Sequence, residues 1–182
     1  YNKAISAKIV SSKFYPFTDY KISKFKRKKI KKALSKAELD KIINFDISAL
    51  PSAKNARYIY LFSYYARGMN FTDLAELKWS ELEENKFTYT RNKTKINIKV
   101  KLPDNKFIDE LLSFYKMYRI YDTNYIFPIL KKDKSEYTDD ELNNRKDSVR
   151  RYFNKQLKKL LQLCGIEKNI TFYTARHTFA TA

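Results

Sequence analysis

The sequence predicts a mainly helical chain carrying one β-hairpin. Only two glycines and four prolines occur in 182 residues, and so few breakers favour long helices over a turn-rich sandwich or barrel. Apolar residues recur at helical spacing along most of the chain. Residues 86–100 differ, alternating at strand period around a basic turn.

Residues 1–10 fit the last turns of a helix, which Phe14-Tyr15-Pro16-Phe17 breaks because proline lacks a donor and restricts its neighbour. Lys21 to Lys32 is strongly basic around Lys26-Arg27-Lys28-Lys29; it reads as a solvated linker or as a tether along phosphates. Ser35-Lys36-Ala37-Glu38 fits a capping box, with Leu39, Ile42 and Ile43 continuing an apolar stripe. Pro51-Ser52 opens a helix with Tyr58, Leu61, Phe62 and Tyr65 on its face, stopping near Gly68. A short helix from Phe71 through Leu77 is expected, capped by Thr72, with Trp79 following as a core anchor. Lys86–Thr90 and Lys95–Val100 read as strands, with Ile96, Ile98 and Val100 sharing one face and Arg91-Asn92-Lys93-Thr94 as the tip. Pro103-Asp104 opens a helix bearing Phe107, Ile108, Leu111, Leu112 and Tyr115, and Tyr125 to Pro128 is a short extended piece. A long basic helix is expected from Asp139 to Leu163, stopping at Gly165. Val149, Tyr152, Phe153, Leu157, Leu160 and Leu161 form its buried stripe, and Thr171 begins the last helix.

Composition narrows the partner. Against 20 acidic residues stand 38 Lys and Arg, a net charge of +18, and a surplus of that size attracts polyanions. Ribosomal, RNA-binding and membrane-surface proteins share that bias, so charge alone does not choose among them. Cys164 is the single cysteine and His177 the single histidine, which excludes a disulfide framework and a multi-histidine or cysteine metal site. No apolar run is long enough to span a bilayer and nothing at the start resembles a signal peptide, so an intracellular, cytoplasmic setting is expected. The 15 tyrosines and 13 phenylalanines fall mostly on apolar faces, which favours core packing over base stacking. The abrupt start at Tyr1-Asn2-Lys3 and the uncapped helical end at Ala182 read as edges of a piece of a longer protein.

Three segments carry chemistry. Thr171-Phe172-Tyr173-Thr174-Ala175-Arg176-His177-Thr178-Phe179-Ala180-Thr181 resembles the second-arginine segment of tyrosine recombinases of the phage integrase type, His-x-x-Arg-His-(Ser/Thr)-x-Ala-Thr. Tyr173 replaces the family's first histidine; its spacing of three from Arg176 puts both on one helical face, able to address one phosphate. Gly68-Met69-Asn70-Phe71-Thr72-Asp73-Leu74-Ala75-Glu76-Leu77-Lys78-Trp79 is similar to the first-arginine segment, with Asn70 at the arginine position. Arg67 lies three residues earlier and, if helix persists there, reaches the same phosphate from one turn away. The family carries a lysine in the turn between two strands, and Lys93-Thr94 occupies that place, with Arg91 and Lys95 as competitors.

The resemblance implies a tyrosine-recombinase-like catalytic domain over residues 33–182, mainly α with a small antiparallel β-sheet (α+β). Residues 1–20 are then the tail of a preceding core-DNA-binding helical domain and 21–32 a basic linker. The implied catalytic set is Lys93, Arg176, Tyr173, Arg67 and His177. The implied DNA contacts are Asn70, Arg91, Lys95, Lys26, Arg27, Lys28 and Lys29. The implied activity is site-specific cutting and rejoining of DNA strands for a mobile element, through a covalent 3′-phosphotyrosyl intermediate. Its nucleophile, a tyrosine downstream of the second arginine, is not expected within this stretch, which by itself should not cleave DNA. The expected partners are double-stranded DNA with inverted half-sites and a self-assembled tetramer in the full-length protein, with no membrane, no small-molecule substrate, no metal and no cofactor. Asn70 and Tyr173 keep open a second reading, a non-catalytic DNA-binding regulator of the same fold; a basic RNA-binding protein is a third.

Overall fold

In a computed structural model of the chain, residues 2–15, 33–119 and 121–181 are described. Contacts divide the chain into two units, residues 1–31 and 32–182. The described part of the first holds a short helix, α1 (Asn2–Ser6), and a 3-10 turn, Ser12–Phe14, whose cap Ser11 accepts the Lys13 amide.

The second unit holds six helices and a three-stranded sheet among its described residues. Its first helix, α2 (Lys36–Asn44), begins at the expected capping box: Ser35 accepts from the Glu38 amide and Glu38 accepts from the Ser35 amide. Two 3-10 turns, one opening on Pro51, lead into α3 (Lys54–Tyr65). Ala56 through Ser63 are all buried, so α3 is the central rod rather than an amphipathic surface helix. It packs against α6 (Asp139–Leu163) and α7 (Phe172–Thr181). Phe62 meets Phe127 at a ring separation of 4.9 Å, and Tyr60 meets Phe172 at 6.1 Å. Each such buried ring contributes about 1.5–3 kcal/mol.

After α3 come α4 (Phe71–Leu74) and the strands β1 (Leu82–Glu83), β2 (Lys86–Thr90) and β3 (Asn97–Lys101), antiparallel in that order. Phe87 pairs with Val100 and Tyr89 with Ile98, giving the sheet its inward face. The helix α5 (Lys106–Met117) follows. Tyr125 bridges to Lys78, and the Ile126 amide donates to Leu77 at 2.9 Å, so the expected extended piece is docked beside the first-arginine segment. The long helix α6 has the predicted bounds, with a capping box between Thr138 and Glu141.

Several local expectations change, beginning with α4, which stops at Leu74 rather than Leu77. Asn70, not Thr72, is the N-cap of α4, and Thr72 lies inside its first turn. The cap of α5 is Asn105, whose side chain accepts the Ile108 amide at 2.9 Å; Pro103 and Asp104 precede the helix. Ile96 is 60% exposed, because Lys95 at φ 56° turns the chain out of strand alternation before β3 begins. Tyr152 is 49% exposed: it lies about 100° around α6 from Phe153, while Lys146 and Gln156 are buried on the helix beside the apolar stripe. The edge strand β1 was not anticipated; Glu84 and Asn85, both at positive φ, make the two-residue turn that pairs it with β2.

Candidate functional site

The geometry of α7 follows from which of its residues are buried. Phe172, Thr174, Ala175 and Thr178 face the core, leaving Tyr173, Arg176 and His177 exposed. Its first turn is fixed from outside: the Phe172 amide donates to Asn154 Oδ1 of α6 at 3.0 Å, and the Thr174 hydroxyl donates to the Thr171 carbonyl at 2.6 Å. Thr178 anchors the far end, accepting the Leu34 amide at 3.1 Å and donating to the Thr174 carbonyl at 3.0 Å. Tyr173 is 67% exposed, and its ring meets His177 edge-on at 5.1 Å. Two residues beyond His177, the Phe179 ring meets that of Tyr64 at a centroid separation of 6.3 Å.

The first-arginine segment is a sharp turn. The amides of Gly68 and Met69 both donate to the Ser63 carbonyl, at 2.8 and 3.2 Å, and the Ser63 hydroxyl donates to the Met69 carbonyl at 2.6 Å. Arg67 (φ 58°) and Gly68 (φ 73°) are both left-handed. The helical premise for Arg67 therefore fails: α3 ends at Tyr65, and no helical turn links positions 67 and 70. A turn carries Arg67 instead, exposed beside Phe179 and Lys101 in a cleft of about 470 Å³. Gly68 lies directly beneath the second arginine, where a Cβ would stand 2.6 Å from Arg176 Cα and 2.9 Å from its Cβ. No other residue type fits there. Asn70 is exposed, and its side chain makes no cap bond to α4.

The hairpin tip closes with the Arg91 amide donating to the Ile96 carbonyl at 2.9 Å and the Lys95 amide to the Arg91 carbonyl at 2.8 Å. Two acids hold it to the first-arginine segment. Asp73, buried in α4, accepts the Asn92 amide at 3.0 Å, and Glu76 accepts from Asn92 Nδ2 at 3.3 Å. Lys93, next in sequence, and Thr94 are exposed. Lys95 lines a cleft of about 390 Å³ with Asp73, Glu76 and Lys134. Tyr89 connects the three segments electrostatically. Burial pushes its phenol above the usual value, the Asp73 carboxylate adds to that, and the charges of Arg176 and Arg91 pull it back.

The motif segments thus converge, Arg176 on Gly68 and the Lys93 loop on Asp73. A further cleft, about 800 Å³, lies along the hairpin base. It sets Glu81, Glu83 and Glu84 against Arg67, Lys86 and Lys101, a mixed lining unsuited to a polyanion. The open face carrying Arg176 and the hairpin tip is the better candidate. Lys26, Arg27, Lys28 and Lys29 lie outside the described residues. Sequence reasoning passed over Tyr89, Asn92 and Glu76 as site-building residues. The one available signal was the spacing of Asp73 and Glu76, which puts two acids about one turn apart opposite a basic tip.

The model of the phage integrase family matches residues 32–182. No curated protein gives a significant match. Among solved structures, XerA recombinase is 22% identical with a TM-score of 0.55, over 82% of this chain and 49% of that one. The lambda integrase catalytic core is 20% identical with a TM-score of 0.53, over 82% and 81%. A lambda integrase tetramer bound to a Holliday junction is 17% identical with a TM-score of 0.57, over 99% and 49%. At these identities the likeness is one of fold. The chain spans about half the length of XerA recombinase and of the junction-bound lambda integrase.

Proposed function

The chain belongs to the phage integrase family, and from that premise we propose that it forms the phosphate-binding core of a site-specific DNA recombinase of a mobile element. Arg176 offers a planar pair of donors to the non-bridging oxygens of the scissile phosphate, where charge builds in the transition state. Tyr173 adds a hydroxyl to the same phosphate and His177 supports the site beside it; Arg67 supplies a second cation from the adjoining turn. Lys93 is the general acid. A tyrosine of the polypeptide, its hydroxyl proton released to solvent, attacks phosphorus, the bond from phosphorus to the 5′ oxygen breaks, and Lys93 donates its proton to that oxygen. The resulting 3′-phosphotyrosyl link conserves the bond energy for rejoining. Asn70, Arg91 and Lys95, with Lys26 to Lys29 of the linker at 21–32, lie along the duplex backbone. Residues 1–20 end a preceding DNA-core-binding domain, and residues 33–182 belong to the catalytic one. The full protein works as a tetramer on inverted half-sites; the lambda integrase tetramer on a Holliday junction supports the fourfold assembly.

The supporting observation is the packing of Gly68 beneath Arg176, which joins the two arginine segments on one face. The test uses the full polypeptide and a nicked duplex, with the covalent adduct resolved after denaturation. Arg176→Ala abolishes the adduct, leaves duplex binding within about tenfold, and lowers the slope of log affinity against log salt by about 1. An adduct at the parent level from Arg176→Ala, or no adduct from parent protein that binds duplex, refutes the reading. That second outcome favours the regulator reading, for which Asn70 at the arginine position speaks.

A further inference from the structure

We infer that Glu76 is a positioning residue for the reaction, clamping the hairpin tip that carries Lys93 to the same helix that positions Arg176. This rests on the role given to Lys93 above. Glu76 follows α4 and spends both carboxylate oxygens. Oε1 accepts from the ammonium of Lys146 on α6 and from Asn92 Nδ2; Oε2 accepts from Lys134 Nζ at 2.8 Å. The Asn92 amide is oriented by this contact, because the flipped form would set its oxygen against a carboxylate. With the Asn92 backbone held by Asp73, the residue preceding Lys93 is gripped at both its main chain and its side chain.

Lys146 is what makes the grip stiff. Its side chain is only 7% exposed, and a buried ammonium is tolerated only while its partner stays ionised and in place. Burial pushes the Glu76 carboxyl up, but the hydrogen bonds from Lys134 and Lys146 outweigh it and hold the group below its usual range. Glu76 therefore cannot swing away without stranding a buried charge. Eight residues along α6, about 12 Å of helix, Asn154 caps the first turn of α7. One rigid helix thus sets the position of both the proton donor and the phosphate-binding guanidinium. Nothing of this is visible in the resemblance, which places no requirement on position 76.

The experiment compares two substrates in the full polypeptide: an ordinary phosphodiester and one whose bridging 5′ oxygen is sulfur. A 5′ thiolate departs without a proton, so a defect confined to general-acid catalysis disappears on the sulfur substrate. Lys93→Ala, Glu76→Gln and Asn92→Ala are measured side by side. Asn92→Ala keeps the Glu76–Lys146 pair, so it tests the clamp without disturbing the buried charge. The expected result is cleavage slowed about 10²-fold on the oxygen substrate and within about threefold of parent on the sulfur substrate, for all three variants. If Lys93→Ala is rescued by sulfur while Glu76→Gln and Asn92→Ala slow both substrates alike, or neither, the clamp is refuted and the Lys93 assignment stands. If Lys93→Ala slows both alike, that assignment falls, and the clamp's catalytic role with it.

Discussion

Replacing Gly68 by Ala perturbs the contact that joins the two arginine segments. The new Cβ would lie 2.6 Å from Arg176 Cα and 2.9 Å from Arg176 Cγ, against about 3.5–4.0 Å for carbons at rest. The neighbour is backbone, so relief requires α7 to move outward by about 1 Å. Overpacking of this kind costs about 1–3 kcal/mol, and the left-handed backbone at φ +73° adds about 1–2 kcal/mol for an alanine. Gly165 provides the control: it too is left-handed, at φ +67°, but an added Cβ meets nothing within 4 Å. For a chain of this size each kcal/mol lowers the unfolding midpoint by about 2–4 °C. Gly165→Ala should therefore lose about 2–8 °C and Gly68→Ala about 4–20 °C in thermal unfolding followed by circular dichroism. Adduct formation by Gly68→Ala should fall further than its loss of folded protein explains, since about 1 Å of misplacement at a reacting centre can cost 10²-fold. Equal midpoint losses in the two variants would refute the contact.

Arg67→Gly removes a side chain from a residue at φ 58° and relieves about 1–2 kcal/mol of left-handed strain, offset in part by the freer unfolded chain. Its midpoint should equal or exceed the parent's while adduct formation drops at least about tenfold; undiminished adduct dismisses Arg67 from the site. Acid should unfold the protein in a predictable window. Burial raises the Glu76 and Glu38 carboxyls, but ion pairs and hydrogen bonds win and leave both below 4.5 in the folded chain. A depressed carboxyl stabilises above its unfolded value and loses that contribution as pH falls through its folded value. Urea midpoints should therefore hold steady above 4.5 and decline below it, and Glu76→Gln should flatten the decline; an unchanged slope would show that Glu76 contributes nothing to it.

Much of the fold and the identity of the motifs were legible in the sequence because they are local. The Ser35–Glu38 capping box, the bounds of α6 and the alternation in β2 depend on neighbours a few residues away. The Arg176 and Gly68 segments could be recognised for the same reason: each is a continuous run of residues. Where local signals competed, the structure chose differently, capping α4 with Asn70 and turning Tyr152 outward. Only the tertiary structure brought Gly68 under Arg176, Asn92 onto Asp73, and Lys146 into contact with Glu76. Those partners stand 19 to 108 residues apart, and which of several basic and acidic side chains meet is set by helix packing angles and loop closure. A charge alone announces neither its partner nor its burial, so nothing in the sequence marks Lys146 among 38 Lys and Arg, and only the fold buries it against Glu76.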